Sequence, residues 1–258
     1  MKQQNEITNS ETEKCRRVVQ AFDELFNRTN IFVLDTGRYG FALLKYDDHN
    51  EVYSIKTYAN SNRLFHALWQ EWLIEELIEL CINTPLIDLD FDEMFHRLPF
   101  SQRQTLLKAK KHFRSESNNK NIPVTAPVAS NTNDLEKNKY RIIAQIFREV
   151  LEAHDIVLKE TEKFGFIMLE YYKPRSNFDS VIVFRDSQKM FDILLNEWFD
   201  CLITDLMEER QANNIDIDDF YHGLPEEEKE KLEKRKTEFV REALEKIDPP
   251  PNSIADHT

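Results

Sequence analysis

The sequence predicts an α+β fold built as two tandem copies of a domain of roughly 100 residues. Each copy reads as a helix, a three-stranded antiparallel meander, and further helices packed on one face of the sheet. Three observations predict this: an internal repeat, a switch of apolar period within each copy, and a polar spacer between the copies. The segments RYGFALLKY, SNRLFHALWQEW, DLDFDEMFHRLP and LLKAKKHF recur in the same order as KFGFIMLEY, SQKMFDILLNEW, NIDIDDFYHGLP and LEKRKTEF. The offset is 125 for Arg16/Arg141, Gly40/Gly165 and Tyr46/Tyr171, and 126 for Ser61/Ser187, Trp72/Trp198, His96/His222 and Pro99/Pro225. The one-residue change falls in YDDHNEV against YYKPRSNF, where a hairpin loop absorbs it.

The first copy spans 14–114. Val18, Val19, Phe22, Leu25 and Phe26 stand at helical spacing and predict a helix over 14–28. IFVLD, YGFALLKY and VYSIKTY are β-rich runs with short connections, hence an antiparallel meander. Asn60 or Ser61 is the expected N-cap of a long helix, and Asp186 or Ser187 its counterpart. A short acidic turn then runs into Pro99 or Pro225, expected at the first position of the last helix, where a missing N–H costs nothing. The second copy spans 139–247. The Ser-, Asn- and Pro-rich stretch 115–138 predicts a flexible linker, and the tail 248–258, with three prolines, predicts disorder.

Composition excludes several function classes. With 4 Gly among 258 residues there is no GxGxxG, GxxxxGK[ST] or GxSxG loop. Three separated cysteines, Cys15, Cys81 and Cys201, form no CxxC pair, and no apolar run is long enough to span a membrane. The polar opening MKQQNEITNSETEK lacks the apolar stretch of a signal peptide, so a cytoplasmic protein without a membrane partner is expected. Usage rich in Asn, Lys, Ile and Phe fits a bacterial or phage source.

Charge is uneven. Residues 14–114 hold 14 basic and 14 acidic side chains, whereas 139–247 hold 17 and 25, within a total of −13. An acidic second copy would attract a basic protein surface. The first copy ends in a basic helix, 103–114, with Arg103, Lys108, Lys110, Lys111 and Arg114. Binding of nucleic acid there is a lesser alternative, because the chain lacks a wider basic footprint.

Among shared residues, Gly40 and Gly165 are read as a bulge or a close approach of a helix over a strand. Trp72 and Trp198 fall at core spacing. Glu71, Glu93 and His96 in one copy, with Glu197, Asp219 and His222 in the other, form a carboxylate-plus-carboxylate-x-x-His inventory that could ligate metal. That metal-dependent enzyme is the alternative reading, weakened by the short Asp219 and the proline-terminated turn. No cofactor is expected.

The copies also differ along the long helix. The second keeps one apolar stripe: Phe191, Leu194, Leu195, Trp198, Cys201, Leu202 and Leu206. In the first, Glu71, Glu75 and Glu79 form an acidic i, i+4, i+8 row, and apolar character moves to Ile74, Leu77, Ile78 and Cys81. That half of the helix is expected to pack on something other than its own sheet: a helix of the same copy, the other copy, or a partner. The leading function is a non-enzymatic protein-interaction module, an adaptor, regulator or inhibitor, with self-association also open. Its candidate binding residues are Glu71, Ile74, Glu75, Ile78, Glu79, Asp90, Asp92, Asp216 and Asp218.

Overall fold

The computed structural model describes residues 8–119, 134–153, 155–161, 165–172, 177–184, 186–212 and 214–248. The fold is α+β, with helices dominating and each short sheet antiparallel. The chain divides into two compact units, Met1–Pro127 with Tyr172–Asp179, and Val128–Tyr171 with Ser180–Thr258.

The first unit opens with α1 (Asn9–Ala21) and α2 (Asp23–Arg28), followed by strands β1 (Ile31–Asp35), β2 (Phe41–Tyr46) and β3 (Val52–Tyr58). The sheet order is β1-β2-β3, with Ile31 opposite Lys45 and Phe41 opposite Tyr58. Then come the long α3 (Ser61–Cys81), a 3-10 turn at Pro85–Asp88, α4 (Phe91–Arg97) and α5 (Phe100–Asn118). Two cores result. Cys15, Val18, Phe22 and Leu25 of the opening helices meet Ile31, Phe41 and Leu43 of the sheet and Leu64, Phe65 and Leu68 of α3. Leu77 and Cys81, farther along α3, instead pack with Met94, Leu98 and Leu106 of α4, its following turn and α5.

From residue 134 on, the chain follows the same element order: α6 (Asp134–Ile146), α7 (Arg148–Ala153), β4 (Ile156–Thr161), β5 (Gly165–Tyr172), β6 (Asn177–Phe184), α8 (Ser187–Glu209), α9 (Ile217–Gly223) and α10 (Glu226–Ile247), with Tyr172 and 177–179 of β6 grouped with the first unit. The interior of the second unit repeats contacts of the first. Phe22 meets Phe65 edge-on at 5.4 Å and 67°, and Phe147 meets Phe191 at 5.5 Å and 69°. Arg16 pairs with Asp35 as Arg141 pairs with Glu160. The Glu11 carboxylate accepts the backbone N–H of Ser61 at 2.7 Å, and Glu136 accepts that of Ser187 at the same distance. Each long helix thus has its N-terminus held by an acid from the opening helix, which also suits the helix dipole.

Several expectations need correction. The opening helix is not continuous over 14–28; it breaks at Phe22 (φ −107°, ψ 19°), whose buried ring and backbone N–H bond to Val19 turn the chain so that Leu25 regains the core. It also starts earlier, at Asn9, with Thr8 as its cap. Pro99 and Pro225 are not the first helical residues but the caps preceding them, with ψ near 144° and 145°. Of the predicted linker, 115–118 belong to α5 and 134–138 to α6, while 120–133 lie outside the described residues, as do tail residues 249–258.

Gly40 is required by a neighbouring strand rather than by a helix. At φ 94° an added Cβ would stand 2.5 Å from the Tyr58 carbonyl oxygen of β3. Asn60 and Asp186, not the serines after them, cap the long helices. The expected contrast between those helices disappears. In α8 the buried row is Phe199, Ile203 and Met207, packed on Phe220 and Leu224, while Cys201, Leu202 and Leu206 are only half-buried. These positions match Leu73, Leu77, Cys81, Met94 and Leu98, so both helices change face midway and pack on helices of their own unit.

Candidate interaction surface

The acidic row on α3 is held by cations from elsewhere in its unit. Lys45 of β2 reaches Glu71 at 2.7 Å, both side chains being largely shielded. Arg28, at the end of α2, bonds Glu76 and Glu79 at 2.9 Å each, and these bonds hold its guanidinium above its ordinary pKa. Ile74, Glu75 and Ile78 are half-buried. These ion pairs tie α3 to α2 and β2 of its own unit.

Asp90 and Asp216 are helix caps: Asp90 accepts the N–H of Glu93 at 2.8 Å and Asp216 that of Asp218 at 3.0 Å. Asp92 and Asp218 lie exposed in the first turns of α4 and α9, favourable positions beside a helix N-terminus.

The metal inventory is not assembled within either unit. Glu93 is paired with Arg97, not turned toward His96, which is exposed. His222 donates from Nδ1 to the Asp218 carbonyl oxygen at 2.7 Å, while Asp219 is exposed and Glu197 half-buried on α8. Among the described residues no three His, Cys, Asp or Glu side chains converge as a ligand set. Burial pushes the Cys15 thiol up to about 12 and the Cys201 thiol up to about 11, so neither is a ready thiolate at neutral pH.

The basic helix divides its charges between two faces. Lys110 Nζ lies 5.1 Å over the Trp69 ring, and the Arg114 guanidinium 3.7 Å over Phe65, with a bond to Asn62. These two cations are spent on the unit's own core. Phe100, Gln104, Leu107, Lys108 and Lys111 form the other, exposed face, at the i, i+4, i+7, i+8 and i+11 spacing of one continuous stripe, while Arg103, one heptad before Lys110, is half-buried on the inner side with its Nε shielded. Phe100 is 70% exposed and Leu107 39%. At the end of α3, Ile82 is 60% exposed.

Sequence reasoning picked out the cations of this helix but passed over Phe100, Leu107 and Ile82. The signal was nevertheless present, because 126 positions on from Ile82, Phe100 and Leu107 stand Glu208, Glu226 and Glu233. The α10 positions matching that exposed stripe are Glu226, Glu230, Glu233, Lys234 and Thr237. There Lys229 pairs with Glu226 and Lys234 with Glu238. On α5, Arg103, Lys108 and Lys111 have no ion-pair partner among the described residues.

No described helix is long and apolar enough to cross a membrane. Comparison with protein-family models, curated proteins and solved structures found no match.

Proposed function

We propose that the protein is a non-enzymatic protein-interaction module, an adaptor, regulator or inhibitor acting in the cytosol, and that its two units descend from one duplicated domain. One observation carries the binding reading. At matched surface positions the first unit exposes Ile82, Phe100 and Leu107, where the second carries Glu208, Glu226 and Glu233. If the units are duplicates, a carboxylate serves at those positions in the second, and the exposed apolar side chains of the first are then not needed to build the fold. Exposed apolar surface beyond the needs of folding marks a contact surface. The duplication is supported by the shared register of the two halves and by their matched caps and ring pairs.

The test is affinity capture from the source cells with the tagged full chain and with its Phe100→Glu/Leu107→Glu double variant. A protein retained by the wild type and lost from the variant is expected. Retention of no protein by the wild type would end the reading.

A further inference from the structure

Resting on that protein-binding reading, we propose that the Phe100–Lys111 face of α5 docks an acidic amphipathic helix of a partner protein. The face is a single ridge. Phe100 and Leu107 stand two turns apart, and Lys108 and Lys111 flank them on the exposed side of the helix. At 1.5 Å per residue it extends about 16 Å, the length of three helical turns. A partner helix with apolar residues at i, i+3 or i+4 and i+7 lays its ridge beside Phe100 and Leu107, the usual mode of helix-on-helix recognition.

Charge selects the partner. The two cations on this face, Lys108 and Lys111, lack ion-pair partners among the described residues, so carboxylates from outside are their natural complement. Nucleic acid fits less well. Lys110 and Arg114 are turned away onto the Trp69 and Phe65 rings, which leaves too short a basic strip to track a polyphosphate. A second copy of this chain also fits less well, because the matching α10 face is acidic but has no apolar residue to meet Phe100.

The probes are three fluorescein-labelled 18-residue helical peptides with one apolar face in common and net charges of −4, 0 and +4. Binding to the full chain is read by anisotropy. The expected result is at least tenfold tighter binding of the −4 peptide than of the +4 peptide. Phe100→Glu/Leu107→Glu should weaken it at least tenfold, and Lys108→Glu/Lys111→Glu should reverse the charge preference. Both double variants place acids on an exposed helix face, and unchanged circular dichroism and melting temperature establish that they fold. Equal binding of the three peptides, still sensitive to Phe100→Glu/Leu107→Glu, would overturn the acidic partner and leave the protein-binding reading standing. No binding of any peptide, or binding indifferent to both double variants, would overturn the docking face itself; the capture experiment above tests the wider reading separately. Tighter binding of a 20-nucleotide single strand than of the −4 peptide, or self-association abolished by Lys108→Glu/Lys111→Glu, would overturn the proposal by assigning the face to another occupant.

Discussion

Phe22→Ala should be among the most damaging single changes in the first unit. The ring is 1% exposed, meets Phe65 edge-on at 5.4 Å and stacks on Phe113 at 4.5 Å, so it joins α1, α3 and α5 at one point. Its removal deletes buried apolar surface and leaves a cavity lined by groups that are fixed at the break between α1 and α2. Phe→Ala changes in such cores cost about 3–5 kcal/mol, the two ring pairs placing this site in the upper part of that range. Against a domain stability of about 5–15 kcal/mol, the loss is roughly a quarter or more. For a unit of this length it lowers the melting temperature by roughly 15–30 °C. Trp69 and Trp72 lie beside Phe113 and report on this core, and Trp198 is the only tryptophan outside it. Urea unfolding followed by fluorescence in a Trp198→Phe background therefore isolates the signal. Phe147→Ala should cost a similar amount in the second unit, where the ring pair has the same geometry. A cost below about 1 kcal/mol for Phe22→Ala, with an unchanged denaturant slope, would refute the account of this core.

Three further outcomes are expected. Gly40→Ala should destabilise more than Gly165→Ala, since the added Cβ meets the Tyr58 carbonyl at 2.5 Å in one case and has nothing nearer than the Phe184 carbonyl at 3.5 Å in the other. Positive φ alone costs about 1–2 kcal/mol at both, and thermal melts of the two variants measure the difference. Glu11 is held below the ordinary carboxylate range, chiefly by its hydrogen bonds from Ser61. A depressed carboxyl stabilises above its unfolded pKa, near ~4.3, and loses that contribution as pH falls through its lower folded value. The gap in melting temperature between wild type and Glu11→Gln should therefore be open at pH 7 and close in acid. Arg28→Ala should change stability by less than about 1 kcal/mol in chemical denaturation, because the arginine side chain is 46% exposed and both its ion pairs are screened by water.

The α+β class, the meander and the capping of the long helices were legible because each rests on local signals. The face of α8 was not. Apolar side chains surround much of that helix, including Ile193, Leu195, Trp198, Cys201, Leu202 and Leu206, so a 3.6-residue period fits several faces equally well. Only packing against Phe220 and Leu224 selects Phe199, Ile203 and Met207. In α3, Glu75, Glu76 and Glu79 remove that ambiguity, and Leu77 and Cys81 were readable as a second buried face. The break at Phe22 was hidden for the opposite reason: the apolar pattern continues through it, and nothing in the local sequence requires a turn. Arg28 as the partner of Glu76 and Glu79 bridges 48 and 51 residues, beyond the reach of periodicity.

The surface is legible by a different comparison, between the halves rather than along the chain. Interior positions of the two units are tied by packing: Phe22 and Phe147, or Leu77 and Ile203, must fill equivalent space. Exposed positions carry no such tie, so what stands there is decided by solubility and by contacts outside the unit. A glutamate at the first position of a helix serves both solubility and the dipole, as Glu226 does in α10. Phe100 in the same place forgoes both benefits and leaves a ring 70% exposed. Leu107, two turns along, departs from Glu233 in the same direction, and the exposed Lys108 and Lys111 beside them have no ion-pair partner among the described residues. Two independent departures on one ridge, each unfavourable for an isolated unit, are what a face shaped by an external partner requires. The neutrality of residues 14–114 within an acidic chain suits the proposed acidic partner, which would be met best by the half that is not itself acidic.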